Sequence, residues 1–196
     1  MDGNSKDNSH RIAREIGLDI LNFKTLSRGE AIVKCINDFK KKFDYIIFTS
    51  SDGEENYDDI YKFKKYFKSG ADLVIASRLM PGGFFKSDTD IRWLHRKIYL
   101  KIITFFINFL FDGNIKDCWN GFRGFRLSCF KNNNLIIREK KYLVEAETTI
   151  IFLKNKLRIF EFPTKEFPRK YGESSNSIFQ SGIGHIILIF KKFFFK

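Results

Sequence analysis

The chain has 196 residues, 43% of them apolar and 30% charged, which suits one domain with its own core and excludes a disordered segment. Lys and Arg number 35 against 23 Asp and Glu, and the formal charge of +12 favours anionic partners: phosphates, nucleotides or an acidic membrane face. No stretch reaches the ~20 apolar residues that cross a bilayer, and the opening Met-Asp-Gly-Asn-Ser does not read as a signal peptide.

Taken in chain order, residues 2–9 are a polar turn and 9–17 a short helix, capped by Ser9 and closed by Gly17. Residues 18–23 suggest a strand. Residues 28–41 suggest a helix with Ala31, Ile32, Cys35, Ile36 and Phe39 on one face. An apolar strand at 44–49 runs into Ser50-Ser51-Asp52-Gly53-Glu54-Glu55. A helix at 58–68 and a second apolar strand at 71–76 follow, the strand ending at Ser77-Arg78. Residues 90–111 form a long helical pattern, basic at its start and aromatic at its end. A Gly-rich turn spans 118–126, then come a helix at 144–154, a strand at 158–162 closed by Pro163, and an apolar helix at 183–195. Strands alternating with helices predict a mainly parallel α/β sheet, and ligands of such sheets bind beyond the carboxyl ends of the strands. No internal repeat or linker divides the chain, so residues 1–196 are expected to form a single domain, with 183–196 as a membrane-proximal tail.

Chemistry is therefore sought at the strand ends. Asp52 and Glu54, with Gly53 easing the turn, could hold a divalent cation on a nucleotide diphosphate, because hard cations prefer carboxylate oxygens; an ordinary acidic turn has the same composition. Arg78, Arg92, Arg96, Arg123, Arg126 and Arg169 could grip phosphates with their planar forks, or simply solubilise the surface. Residues 98–111 suit either an interfacial helix or a core helix. Cys35, Cys118 and Cys129 form no CxxC pair and read as reduced structural thiols, as on the cytosolic side of a membrane. The 24 Phe accompany abundant Lys, Asn and Ile and are consistent with biased genome composition. The basic residues are scattered and not gathered with stacking aromatics, which argues against nucleic acid.

The order of these motifs resembles the inverting family 2 glycosyltransferases with the GT-A fold, most closely the dolichyl- and polyprenyl-phosphate sugar synthases. Asp2-Gly3-Asn4-Ser5-Lys6-Asp7-Asn8-Ser9 is similar to the DDGSxDxT turn, and Arg28-Gly29-Glu30-Ala31-Ile32 to GKGxA. Residues 45–60 resemble the strand, DxD and following helix start. Ala71-Asp72-Leu73-Val74-Ile75-Ala76-Ser77-Arg78 resembles ADLVIGSR, with Gly82-Gly83 after it. Residues 117–126 resemble DxxSGFRxFR. Glu161-Phe162-Pro163 and Arg169-Lys170-Tyr171-Gly172-Glu173-Ser174-Ser175 resemble the closing EVP and RxxGxS motifs.

The resemblance implies a GT-A α/β domain that moves a hexose from a GDP- or UDP-linked donor to a polyprenyl phosphate, peripheral at the cytosolic face of a membrane. It gives Asp52, Arg78 and Arg123 catalytic roles, and Asp2, Arg28, Asp52 and Arg169 donor-binding roles. Arg78, Arg92 and Arg96 would hold the acceptor phosphate, and Asp52 with Glu54 would hold Mg²⁺ or Mn²⁺. An ionised lipid phosphate needs no general base, and His10, His95 and His185 fall outside the motifs. Ser50 replaces the first Asp of DxD, shifting the metal expectation to Asp52 and Glu54, and Leu100 stands where such synthases often carry Ser. The family's opening strand, helix and second strand have no counterpart before Asp2. A gap in the sheet or an exposed apolar edge beside the strand at 45–49 is then expected, with low stability or activity unless an upstream segment or another chain supplies the missing strands. Two alternatives stay open. One is transfer to a hydroxyl of a surface polysaccharide or glycolipid, with Glu145 or Glu147 as base. The other is a non-catalytic remnant that binds a membrane or a partner.

Overall fold

A computed structural model describes residues 1–2, 6–22, 27–86, 94–133, 135–168 and 178–195. The elements are α1 (Ser9–Glu15), α2 (Arg28–Phe39), β1 (Tyr45–Phe48), a 3₁₀ turn (Tyr57–Asp59), α3 (Ile60–Lys68), β2 (Leu73–Ser77) and α4 (Leu94–Phe111). They continue with β3 (Arg123–Arg126), α5 (Ser128–Asn132), α6 (Val144–Lys154), β4 (Ile159–Pro163) and α7 (Ile178–Phe194).

The four strands lie in the order β1-β3-β2-β4. β3 is antiparallel to both its neighbours, whereas β2 and β4 are parallel, so β1, β2 and β4 share one direction. The expected parallel trend thus holds for three strands. The departure is the block read as a Gly-rich turn at 118–126: its second half is β3, wedged between β1 and β2. Gly124 permits this, because a Cβ there would meet the rings of Phe63 and Phe67 at 3.0 Å. β1 stands at one edge with Tyr45 36% exposed, and among the described residues no strand pairs with its outer side.

Side chains alternate across the pleat as period-2 geometry requires. Leu73 and Ile75 of β2, with Phe125 of β3, pack against Ile32, Cys35 and Ile36 of α2 and Phe152 of α6. Val74 and Ala76 face the other way, onto Phe63 and Phe67 of α3, with Phe122 and Phe162. Phe is therefore the principal filler of the core, whatever its origin in composition. Edge-to-face pairs such as Phe63–Phe162 and Phe125–Phe130 recur there. A third core joins α4, α6 and α7 through Leu100, Ile103, Ile107, Ile150, Leu188 and Ile189. The three cysteines are buried and unpaired, and burial drives the Cys118 and Cys129 thiols up to about 12, leaving them inert as nucleophiles.

Two local readings need correction. The strand expected at 18–23 is reduced, among its described residues, to a single bridge between Asp2 and Asn22, with the Asp2 N–H donating to the Leu21 carbonyl at 2.9 Å. The first helix is capped one residue earlier than expected, at Asn8, while Asp7 Oδ1 accepts from the Ser9 N–H at 3.0 Å. Gly17 adopts φ +76°, the left-handed closure its identity predicts. Of the helix expected from residue 90, the part from Leu94 is described; 90–93 lie outside the described residues, as do 3–5 of the opening turn.

Candidate active site

The carboxyl ends of β1, β2 and β4 open on one polar cleft, whose enclosed part is about 190 Å³. Its acidic lip is the loop after β1. Ser50 Oγ donates to Asp52 Oδ1 at 2.7 Å, and the Glu54 N–H reaches the same oxygen at 3.3 Å. Gly53 has φ +76°, and its N–H donates to the Tyr57 hydroxyl at 3.2 Å, which in turn donates to the Ser50 carbonyl at 3.0 Å. Glu55 accepts from the Ser50 N–H at 3.1 Å and from the Thr49 hydroxyl. Burial raises its pKa, partly offset by those hydrogen bonds and by Arg28.

The basic wall comes from α2, α4 and the strap after β4. Arg28 opens α2, whose first turn is fixed by reciprocal Ser27–Glu30 hydrogen bonds. Its Nε donates to Glu145 Oε1 at 2.6 Å. Burial opposes the Arg28 charge, but Glu145, with Glu55 and Asp52 further off, outweighs it and raises the pKa. Gly121 makes room for this guanidinium, since a Cβ there would lie 2.0 Å from Arg28 Nη2. Arg96 and Leu100 of α4 line the same cleft with Lys165, Trp119 and Tyr142. Lys86 Nζ pairs with Glu54 Oε1 at 2.8 Å.

Arg78 sits at the end of β2, in the cleft wall but committed to carboxylates. Asp117 accepts from its Nε at 2.7 Å and from its Nη2 at 3.0 Å, and Glu166 from its Nη1 at 3.0 Å. Burial works against each charge. Mutual pairing overcomes it, holding the Arg78 pKa up and pulling the Asp117 pKa down. Gly83 turns so close beneath that its Cβ position lies 2.7 Å from the Arg78 carbonyl oxygen. Arg78 is therefore an organiser of the wall, with less charge to offer a phosphate than its motif position implied.

Of the expected residues, Arg28, Asp52, Glu54, Arg78 and Arg96 converge on the cleft. Arg123, expected to be catalytic, is not among the residues that line it. It is 2% exposed and donates to the Asn120 carbonyl at 2.7 Å, the Glu145 carbonyl at 2.7 Å, Thr148 and Thr149 hydroxyls at 3.0 and 3.1 Å, and the Cys118 carbonyl at 3.0 Å. Burial lowers its pKa to about 10, so it remains charged at neutral pH as a clamp between β3 and α6. Arg126 likewise binds the Ala71 and Phe67 carbonyls at 3.0 and 2.7 Å. Asp2 pairs with His10 at 2.7 Å near its bridge to Asn22. Glu147 faces away from the cleft, accepting from the Arg138 and Glu139 N–H groups at 2.9 and 2.7 Å. Arg92 and Arg169 lie outside the described residues. Sequence reasoning missed Glu55, Lys86 and Glu166. Asp117 was legible only as a motif member, since nothing in spacing says that it meets Arg78 39 residues earlier.

For a divalent cation the donor set is sparse. Among the described residues no three His, Cys, Asp or Glu side chains are grouped to hold a metal. Glu54, expected as a ligand, is drawn to Lys86. Mg²⁺ and Mn²⁺ with nucleotides need few protein carboxylates, because the phosphates supply oxygens themselves. Asp52 on the lip fits that mode.

Residues 1–133 match the model of the glycosyl transferase family 2, and the chain belongs to that family. Its fold is the GT-A fold of such enzymes. It superposes on the crystal structure of glucosyl-3-phosphoglycerate synthase from Mycobacterium tuberculosis in complex with Mn²⁺ and uridine-diphosphate-glucose with a TM-score of 0.63, at 14% identity over 98% of this chain and 66% of that one. The same enzyme in complex with phosphoglyceric acid gives 0.61 at 14% identity, covering 98% and 67%. In sequence, the chain is 24% identical over 140 residues to the polyprenol monophosphomannose synthase of Mycolicibacterium smegmatis, 70% of this chain and 51% of that protein. The chain thus spans about half the length of this curated relative.

Proposed function

We propose that the chain transfers a hexose from a GDP- or UDP-linked donor to a polyprenyl phosphate, with inversion. The observation that carries this reading is the double character of α4. Arg96 and Leu100 line the cleft, while Ile98, Ile102, Phe105 and Phe109 of the same helix are exposed on its outer face. An acceptor with a phosphate head and an apolar tail needs both surfaces side by side. α7 adds exposed Ile183, Ile186, Ile187, Phe190 and Phe194, and Phe111 of α4 meets Phe193 edge-on at 6.1 Å. No helix among the described residues is long and apolar enough to cross a membrane. This paired surface favours a peripheral position on a membrane, and the unpaired cysteines suit its cytosolic face.

Within that reading each cleft group has a task. Asp52 would hold Mg²⁺ or Mn²⁺, which when bound supplies charge neutralisation for the departing nucleotide diphosphate. Arg28, kept charged by Glu145, lies across from Asp52 and suits the donor phosphates. Arg96 suits the acceptor phosphate, whose oxygen is already ionised and attacks the anomeric carbon without a general base. Arg78 positions the wall through Asp117 and Glu166. The outer side of β1 is where a further strand, from upstream or from another chain, would add. Glu145 lining the cleft keeps a second reading in view, in which the acceptor is a hydroxyl and Glu145 takes its proton.

The test is transfer of labelled sugar from GDP- and UDP-hexoses to a short polyprenyl phosphate with Mn²⁺, beside the Asp52→Ala variant. Metal-dependent label in the organic phase, reduced about a hundredfold or more in the variant, is expected. Label recovered only in water-soluble saccharide would favour the hydroxyl acceptor, and equal label from both proteins would remove Asp52 from its role.

A further inference from the structure

At the C-terminal end of α7, away from the cleft, a second groove runs between α6, α7 and the segment 135–139. Arg138, Lys154, Lys191 and Lys192 line it beside the apolar Ile136 and Phe195. Four cations here face two carboxylates, Glu139 and Glu147. The two carboxylates do not neutralise the groove evenly. Glu147 is fully buried and takes Lys192 at 2.5 Å, while Lys154 Nζ donates to the Lys192 carbonyl at 2.5 Å and so serves the helix end. Arg138 and Lys191 are exposed and lie at the mouth.

The groove adjoins the exposed stripe of α7, in which Phe190 and Phe194 are 54% and 66% exposed and their rings stack at 6.0 Å. Arg138 and Lys191 are thus exposed beside the apolar Ile136 and Phe195, next to a stripe that could rest on a lipid surface. We propose that this groove binds the headgroup of an acidic phospholipid, separately from the acceptor, and so sets the angle at which the cleft meets the bilayer. The proposal rests on the reading that the α4–α7 surface faces a membrane. Charge complementarity selects the occupant: with Glu139 partly offsetting Lys191, the groove still holds a net positive charge flanked by apolar side chains, which matches a phosphodiester with attached chains, and each cation is worth about 1 kcal/mol near an anionic surface.

The experiment is sedimentation of the full chain with vesicles of phosphatidylcholine alone and of phosphatidylcholine mixed with phosphatidylglycerol. The acidic vesicles are expected to bind more tightly. Arg138→Ala with Lys191→Ala should weaken that binding about thirtyfold, from two cations at the cited value, and leave the neutral vesicles unaffected. Lys64→Ala with Lys68→Ala removes the same charge from exposed positions on α3 and should change little. Equal weakening by both pairs, or no preference for the acidic vesicles, overturns the proposal. Transfer to a short acceptor in detergent, measured on the same proteins, separates the two claims. Intact transfer without a groove effect refutes the groove alone, and a groove effect without transfer refutes the proposed reaction alone.

Discussion

Replacing Asp117 by Asn removes one charge from the most enclosed polar group at the cleft. Asp117 is 0% exposed and accepts five hydrogen bonds: from the Arg78 N–H at 3.2 Å, Nε at 2.7 Å and Nη2 at 3.0 Å, and from the Trp119 and Asn120 N–H groups at 3.2 and 3.1 Å. An amide keeps one oxygen and turns an NH₂ toward donors, so either the Arg78 side or the Trp119–Asn120 side loses its acceptor. Arg78 keeps only Glu166 against its buried charge. Breaking a buried pair in this way costs about 3–5 kcal/mol, a large share of the ~5–15 kcal/mol that holds a domain folded. Urea titration at neutral pH should show that loss. A cycle with Arg78→Gln should show coupling above about 1 kcal/mol, since the second change removes the charge the first left unpaired. The pH dependence has a defined sign. The folded pKa of Asp117 lies below the ordinary carboxylate value, so its contribution is present above pH ~4 and is lost as pH falls through the lowered folded value. The acid limb of the stability curve should therefore flatten in the variant. A loss under about 1 kcal/mol, or an additive cycle, would refute the view that Arg78 is held by its carboxylates.

Two further substitutions separate binding from scaffolding. Gly121→Ala puts a methyl where Arg28 Nη2 now lies, and the guanidinium must move from Glu145 and the cleft. Donor affinity, read by nucleotide-sugar titration, should fall about tenfold while the melting temperature moves by only a few degrees, as for the loss of one charge-assisted contact. Arg123→Lys should act in the opposite manner. A single ammonium cannot reach acceptors that lie around a planar fork, so stability should drop by about 3 kcal/mol, while turnover per folded molecule stays within about twofold. Turnover lost with stability intact would return Arg123 to a catalytic role.

How much was legible in the sequence follows from the range of the interactions concerned. The strands at 45–48, 73–77 and 159–163 and the helices at 60–68 and 144–154 follow from apolar runs and period, and the loop after β1 follows from its Gly and carboxylates. Asp52 and Arg28 were identifiable because each occupies a short motif, and Arg96 because it falls in the basic start of the long helical pattern. The direction of β3 was not, because a strand of Arg-Gly-Phe-Arg has no apolar alternation, and Gly124 is there for two rings on α3. Arg123, inside the Gly-rich turn, and Arg78, directly after an apolar strand, look alike in the chain as arginines of recognisable motifs. Only the packed structure buries one among carbonyls behind the cleft and sets the other in its wall. Glu54 and Asp52 lie two residues apart in the motif, but Lys86, 32 residues on, takes Glu54 as its partner. Local pattern indicated most of the regular segments and which residues could carry charge. Tertiary contacts decided which charges face the cleft, because burial and pairing depend on neighbours that sequence separation does not reveal.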